Sequence, residues 1–282
     1  MRTDADDQIL RGVAATCTAS FLDQDGDVSA ASGTVTCTIT RADGTAIATG
    51  RSTTTASNVH SVALTASETA TLDLLTLSWL DAGTARTTTT VEVVGGYYFT
   101  VAQARSSDPA LADAAKWSDA DIKAARRLVA DEFERICHVA FVPRYRRETF
   151  RLDAASDVLW LPQARPTSVR AVTVDGTAQS DLSDIELVSW GALRWPAGWT
   201  AGVEIVVGWE SGYPAVPARI REVAIRRCRS LLGLSRSPMP DRQARFMIEE
   251  GRTVAFSGAY ADKTGDDEVD SVLARYTESG PV

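Results

Sequence analysis

A cysteine, one of the two histidines and four arginines follow one another closely in the middle of the chain, in the stretch ICHVAFVPRYRRETFRL (136–152). A thiol beside an imidazole could act as a nucleophile with its base, or as a pair of metal ligands. Adjacent residues on a helix point about 100° apart, so Cys137 and His138 are poorly placed to act on each other. We therefore expect Cys137 to be a small core residue and His138 a polar helix end.

The rest of the sequence contains no complete catalytic or metal-binding motif. Neither C-x-x-C nor H-x-x-x-H occurs, and there is no phosphate-binding glycine loop and no G-x-S-x-G elbow. The acidic stretch DQDGD (23–27) resembles a calcium loop but lacks the distal bidentate glutamate, so we interpret it as an acidic hairpin turn. Cys17 and Cys37 share a predicted strand face, and whether they pair stays open. We expect no enzymatic activity, no cofactor and no bound metal.

The four arginines Arg144, Arg146, Arg147 and Arg151 are the sharpest polar feature. On a strand, Arg147 and Arg151 would face one way and Arg144 and Arg146 the other. Because both faces carry charge, we expect an exposed strand, at a sheet edge or in a protruding hairpin. Three interpretations stay open: a solvated edge that blocks stray pairing, an interface with an acidic protein surface, and direct contact with nucleic acid.

The composition is ordinary for a folded protein, with 282 residues, of which 44% are apolar and 23% charged. The 29 basic and 37 acidic side chains give a net charge of −8. A protein that mainly binds phosphate groups usually carries a net positive charge instead. No apolar run approaches the roughly 18 residues of a membrane span, and the first residues do not resemble a signal peptide. We expect a protein that folds in the cytosol and does not enter a membrane.

Residues 1–95 predict a β-domain. Short runs of alternating apolar residues are separated by Asp-Gly turn signals at 25–26 and 43–44. This pattern favours an antiparallel β-sandwich, immunoglobulin-like in its broad plan. Gly95 and Gly96 interrupt the pattern and mark the predicted domain boundary.

Residues 96–282 predict helices and strands together, so the fold class of the chain is α+β. Ser118 is a good N-cap for the first long helix, and Arg126 and Arg127 lie off its apolar stripe. Arg226 and Arg229 lie off the stripe of the second. The predicted elements are a helix over about 119–139, a β-region over 144–208, a helix over 217–234, and a C-terminal tail with a short helix over about 267–276.

The order of several segments resembles the head-to-tail adaptor (head-completion or connector) proteins of long-tailed bacteriophages. The segments are ERICHVAFVPR (134–144), LWLPQARPTSVRAVTVDGTA (159–178), VEIVVGWESGYPAVPARIREVAIRRCRSLL (203–232) and TGDDEVDSVLARY (264–276). The stretches GTVTCTITRADGTAIATG (33–50) and VEVVGGYYFTVAQAR (91–105) are similar to the β-domain that actinobacteriophage versions carry in front.

The resemblance implies a structural protein of a siphovirus virion. It would form a homo-oligomeric ring of twelve copies beneath the portal, in the neck at the capsid vertex, and would be assembled in the host cytoplasm. Its expected partners are further copies of itself, the portal protein, the next head-completion or tail-terminator protein, and double-stranded DNA that passes through the channel during ejection without sequence-specific binding. The predicted β-domain of residues 1–95 would be dispensable for the ring and would decorate its outside.

The resemblance also suggests roles for individual residues. It assigns portal binding to Glu268, Val269, Leu273 and Tyr276. It assigns contact with a neighbouring subunit or the tail side to Arg144, Arg146, Arg147 and Arg151. The charges of the ring wall would be Arg126, Arg127, Arg226 and Arg229.

A second class of function is a β-sandwich that binds carbohydrate or a cell surface, fused to a helical oligomerisation domain. Such a module would show clustered, exposed aromatic rings in residues 1–95. Phe21 and Trp79 are the only phenylalanine, tyrosine or tryptophan residues there, and both lie in strand patterns that suggest burial.

Overall fold

The structure is a computed structural model that describes residues 7–188, 191–235, 246–249, 252–255 and 263–277. It is a sheet-rich α+β protein. The strands of its first part are β1 (Asp7–Leu10), β2 (Ala15–Leu22), β3 (Val28–Ser29), β4 (Val35–Thr40), β5 (Ala46–Ser52), β6 (Thr54–Ala56), β7 (Val59–Leu64), β8 (Asp73–Asp81) and β9 (Thr84–Val94).

Strands β1 to β9 form two sheets, which we call the front sandwich. One sheet has the order β1-β9-β8-β4-β5 and the other β3-β2-β7-β6. Strand β1 runs parallel to β9, whereas the other neighbours are antiparallel. Alternate residues of β2, β4, β7 and β8 are buried, as the two-residue period requires, and both sheets contribute to one hydrophobic cluster that includes Phe21, Ile39, Leu64 and Trp79.

The second part of the chain combines four helices with further strands. The helices are α1 (Val101–Ser107), α2 (Asp119–Cys137), α3 (Ala218–Ser235) and α4 (Asp267–Leu273), with a 3-10 helix at Pro109–Leu111. The strands are β10 (Arg144–Phe150), β11 (Ser156–Trp160), β12 (Pro166–Val174), β13 (Thr177–Ala178), β14 (Glu186–Val188), β15 (Ala192–Trp199), β16 (Ile205–Ser211), β17 (Phe246–Glu249) and β18 (Arg252–Ala255).

Helix α2 begins and ends for local reasons. The Ser118 hydroxyl accepts from the Asp121 amide at 3.1 Å, and the Asp121 carboxylate accepts from the Ser118 amide at 3.0 Å, so the predicted cap is a reciprocal capping box. The helix ends at Cys137, two residues earlier than predicted, because His138 adopts a left-handed conformation with φ of 54°. Such a residue closes a helix instead of extending it.

The other two predicted helices also have shifted limits. Helix α3 starts one residue after Pro217, whose carbonyl accepts from the Arg221 amide at 3.0 Å. Helix α4 ends at Leu273, and the predicted continuation to residue 276 is a turn in which the Tyr276 amide donates to the Leu273 carbonyl at 2.8 Å. None of the helices in the described part of the chain is long and apolar enough to cross a membrane.

The helices share one core and the strands between them another. The helical core combines residues of α1 to α4, with Phe133, Cys137 and Ile220 at its centre. The strands of the β-region form two sheets, β10-β16-β12-β13 and β11-β15-β14, whose shared cluster includes Leu193 and Trp209. Strands β17 and β18 pair with each other in antiparallel fashion.

Candidate interface residues

Four charged side chains from three elements meet in a buried group, which we call the charge cluster: Glu92 of β9, Glu134 of α2, and Arg144 and Arg146 of β10. Arg144 Nη1 donates to Glu92 Oε2 at 2.7 Å, and its Nε lies 2.9 Å from Glu134 Oε1. Arg146 Nη1 donates to Glu92 Oε1 at 2.7 Å, and its Nη2 lies 3.6 Å from Glu134 Oε2. Each guanidinium therefore bridges both carboxylates, and the four charges sum to zero.

The backbone brings these elements together at Gly95. Its amide donates to the Pro143 carbonyl at 2.9 Å, which places the end of β9 beside the start of β10. A Cβ on Gly95 would lie 2.6 Å from the Pro143 Cβ, so the approach requires a glycine. Strand β9 can then present Glu92 to the arginines that follow Pro143.

Burial and charge act in opposite directions on this cluster. Burial by itself would raise the pKa of Glu92, but the guanidiniums of Arg144 and Arg146 outweigh it and hold that pKa at about 2. Burial likewise lowers the pKa of Arg144, but Glu134 and Glu92 outweigh it and raise that pKa above its ordinary value. Glu92 and Arg144 therefore both stay charged at neutral pH, as a buried ion pair needs to be.

Tyr98 joins the cluster from the helical core. Its hydroxyl donates to Glu134 Oε1 at 3.2 Å. Burial raises the pKa of Tyr98, and the nearby negative charge of Glu134 raises it further, so the phenol stays protonated and remains a donor. The cluster is thereby connected to the packing of α2.

The expectation that the arginine strand is exposed is wrong for its first half. Strand β10 does lie at the edge of its sheet. Only 3% of the Arg144 side chain and 15% of the Arg146 side chain are exposed, however, because β9 and α2 cover that end and supply carboxylates. Arg147 is half-buried and Arg151 is exposed. Contact with a neighbouring subunit or the tail side stays a prediction for all four arginines, of which Arg147 and Arg151 are the more accessible pair.

Arg126, expected among the charges of a ring wall, is also buried. Its Nη1 donates to the Phe99 carbonyl at 3.0 Å, and its guanidinium lies 3.7 Å from the centre of the Tyr97 ring. This arginine therefore holds the segment before α1 against α2 and does not form part of an outer surface. Arg127, the next residue, is half-buried.

The arginines of α3 divide into exposed and buried ones. Arg226 pairs with Asp266 at 2.9 Å and also with Glu268, and Arg229 Nη1 lies 3.3 Å from Asp108. Both are about half exposed and fit a charged helix surface as expected.

Sequence reasoning missed Arg227, which is buried. Its Nε donates to Glu132 Oε2 at 2.6 Å and so joins α3 to α2. A signal was present, because Arg227 follows Ile220 by seven residues and thus lies on the apolar stripe of α3.

Two of the four residues expected to bind a portal are core residues. Val269 and Leu273 are buried against α2 and α3, and Tyr276 is half-buried with its ring 5.5 Å from that of Phe141. An amphipathic α4 must cover its apolar side somewhere, and in this chain the helical core covers it. Glu268 is exposed and faces Arg226. Val269 and Leu273 therefore lie in the core of this subunit, and portal binding stays a prediction for all four residues.

The residues that first suggested chemistry have structural roles. Cys137 is fully buried, and burial raises the pKa of its thiol to about 12, so it is not a thiolate at neutral pH. His138 is exposed and ends α2, as predicted. Cys17 and Cys37 do not form a disulfide in this structure. In the described part of the chain, no group of three or more His, Cys, Asp and Glu side chains is arranged to hold a metal ion.

No family model matches this sequence. No curated protein matches it either. Among solved structures, a chain from the neck of an empty gene transfer agent particle, computed with C6 symmetry, is similar to it over 58% of this chain and 81% of the other. The two share 13% sequence identity, and the TM-score is 0.42. A likeness of this degree carries no argument about function.

Proposed function

We propose that this protein is a ring-forming head-to-tail adaptor in the neck of a long-tailed phage, where it extends the DNA channel under the portal and joins the capsid to the tail. It would act as a structural protein that catalyses no reaction. The proposal includes a twelve-fold ring and a location at the capsid vertex. It also includes two kinds of partner, the portal protein and the next head-completion or tail-terminator protein.

One observation carries the proposal. The segments on which the adaptor resemblance rests contribute neighbouring rings to one aromatic group in the helical core. Phe141 stacks on Tyr213 at 5.7 Å, and the Tyr276 ring lies 5.5 Å from Phe141 and 6.2 Å from Tyr213. Tyr98 meets Phe141 edge-on at 6.0 Å, and the Arg165 guanidinium lies 4.3 Å from the centre of the Tyr213 ring. Segments far apart in the sequence thus meet as parts of one unit, as a shared adaptor core requires.

The charge balance also supports a channel role. A chain with net charge −8 repels phosphate overall, which suits a passage through which DNA must slide without being held. Closed rings of identical subunits need heterologous contacts, in which one face of a subunit meets a different face of the next.

The immunoglobulin-like description of residues 1–95 is part of the same proposal. Its support is the strand order of the front sandwich, with β1 parallel to β9 at one side of the larger sheet. The alternative of a carbohydrate-binding or cell-surface module required exposed rings there. Phe21 and Trp79 are instead both buried.

The test is to locate the protein in particles of the phage that encodes it. Electron microscopy of particles made with and without its gene should show density for the chain at the unique vertex, and tail-less heads when the gene is deleted. Normal tailed particles without the gene, or a vertex that lacks this chain, would rule out the adaptor function. Turnover of a small molecule by the pure protein would do so as well.

A further inference from the structure

A cleft of about 310 Å³ separates the front sandwich from α2, and its lining is basic. The helix side contributes Lys123 and Arg127, which lie four residues apart and therefore on the same face of α2. The sandwich side contributes the hydroxyl-bearing Thr16, Thr18 and Thr89. No carboxylate lines this cleft, although acidic side chains outnumber basic ones in the chain. We call it the basic cleft.

A second cleft shows that this imbalance is not general. Its arginines, Arg226 and Arg229 among them, share the lining with Asp108, Glu222 and Glu268. Arg226 and Arg229 are paired with carboxylates there. In the basic cleft, Lys123 is exposed, and no carboxylate of the described residues forms an ion pair with it. The lining of the basic cleft therefore carries positive charge that no carboxylate of the same lining balances.

The front sandwich carries an acidic group on the turn between β2 and β3, residues 23–27, which we call the acidic tip. Asp23 Oδ1 accepts from the amides of Asp25 and Asp27 at 3.0 and 2.9 Å, so the turn is held in one shape. Asp25 and Asp27 are exposed. The acidic tip therefore presents two carboxylates on a rigid turn.

The stem of the acidic tip is unusually apolar for a surface. Leu22 and Val28 face each other across β2 and β3, and they are 60% and 55% exposed. Exposed apolar residues beside a charged turn are typical of a protein contact, in which the apolar part is covered and the charges fix the orientation. Ala120 and Ala124 of the basic cleft offer small side chains against which such a stem can pack.

The acidic tip cannot reach the basic cleft of its own chain. Strand β2 runs without a break from Thr16 and Thr18, which line the cleft, to Leu22. At about 3.3 Å per residue, the strand carries Asp23 roughly 17 Å from Thr18 and away from the cleft. A second copy of the chain can supply the acidic tip without any change in the strand.

We propose that the acidic tip of one copy docks in the basic cleft of the next. The contact joins two different faces and therefore repeats from copy to copy in one direction, as a ring or a filament requires. It supplies a subunit contact for the ring proposed above and rests on that function to this extent. Because the copies repel each other overall, the local attraction between carboxylates and cations should decide whether they associate.

Reciprocal charge reversal tests the pairing. Variant A carries Lys123→Glu and Arg127→Glu, and variant B carries Asp25→Lys and Asp27→Lys, with Asp23 kept because it holds the turn. Analytical ultracentrifugation at low salt should show self-association of the unchanged protein and at least a tenfold weaker association constant for A alone and for B alone. An equimolar mixture of A and B should associate again. The basic tip of B then faces the acidic cleft of A, and the acidic tip of A faces the basic cleft of B.

Matched variants control for total charge. Asp153→Lys with Asp184→Lys, and Arg11→Glu with Arg275→Glu, change the same number of exposed charges elsewhere and should leave association unchanged. Thermal melts followed by circular dichroism should be alike for all variants.

Several results would overturn the docking. These are a protein that stays monomeric at every attainable concentration, variants A and B that associate normally, or a mixture that fails to associate. A further such result is that inorganic phosphate stabilises the unchanged protein but not variant A, while self-association changes neither with phosphate nor with the substitutions of variant A. In that case the cleft is an anion site and the docking is again wrong. None of these results touches the vertex location, which the particle experiment decides separately.

Discussion

Arg144 Nη1 lies 2.7 Å from Glu92 Oε2, and this contact joins residues 52 positions apart in the sequence. Glu92 belongs to the front sandwich, and Arg144 opens the strand that follows α2. Removal of residues 1–95 would take away Glu92 and leave Arg144 and Arg146 with Glu134 alone. The front sandwich therefore contributes to the packing of the second part of the chain, while its dispensability for the ring stays a prediction.

The first prediction concerns the charge cluster. Glu92→Gln should lower the free energy of unfolding by about 3–5 kcal/mol, because it leaves the guanidiniums of Arg144 and Arg146 with the single carboxylate of Glu134 in a largely buried site. Urea denaturation followed by tryptophan fluorescence measures this loss. The exposed Glu222→Gln should change stability by no more than about 0.5 kcal/mol. A loss below about 1 kcal/mol for Glu92→Gln would contradict the role assigned to the cluster.

The second prediction concerns acid. The pKa of Glu92 is lowered from 4.5 to about 2 in the folded protein, so its stabilising contribution is complete above about pH 4.5 and disappears as the pH falls towards 2. A lowering of this size corresponds to about 3 kcal/mol. The difference in unfolding free energy between the unchanged protein and Glu92→Gln should therefore shrink steadily over that interval. A difference that is constant with pH would argue against a charged Glu92.

The third prediction compares two neighbouring glycines. Gly95→Ala should destabilise the protein by about 1–3 kcal/mol, because the new Cβ would lie 2.6 to 2.9 Å from the ring atoms of Pro143. Gly96→Ala should be close to neutral, since its Cβ would be 3.8 Å from Val142. Thermal unfolding of the two variants side by side gives the comparison. Equal effects would mean that the approach of β9 to Pro143 is not as close as described.

The fourth prediction separates core from surface in α4. Leu273→Ala should cost about 2–5 kcal/mol, because Leu273 is buried in the helical core and its truncation leaves a cavity. The exposed Glu268→Ala should cost little, apart from its surface ion pair with Arg226. Chemical denaturation of both variants tests this. If Leu273→Ala keeps full stability but loses a binding partner, Leu273 is a contact residue after all.

The fifth prediction concerns the thiols. Burial raises the pKa values of Cys37, Cys137 and Cys228 to about 12, so these thiols should resist iodoacetamide in the folded protein at pH 7.5. Mass spectrometry after a timed reaction should find them unmodified, and modified once the protein is unfolded in urea. Fast labelling of Cys137 in the folded protein would restore it as a candidate nucleophile.

Local signals in the sequence were sufficient for the helices and most strands. Ser118 and the apolar stripe predicted α2, and the alternation of apolar residues predicted the β-structure of residues 1–95, as seen in β4 and β8. The early end of α2 could not be foreseen, because the left-handed residue there is His138 and not the usual glycine.

The charge cluster could not be predicted from the sequence for a different reason. The exposure of Arg144 depends on what covers it, and its partner Glu92 lies in another element far away in the chain. A hint existed in Glu92 itself, a single acid among the apolar residues of the stretch TVEVV. A lone carboxylate at a position that should be buried needs a cation, and only the tertiary structure shows which one.

The parallel pairing of β1 with β9 has a consequence for biosynthesis. Strand β1 forms its ladder with β9 alone, and Ile9 enters the core of the front sandwich through that ladder. A ribosome makes β1 first and β9 last among these strands, so β1 must wait without its pairing partner until nearly the whole sandwich has emerged. Closure of the sandwich is thus timed by translation of residues 84–94. A translational pause before these residues would keep β1 unpaired for longer.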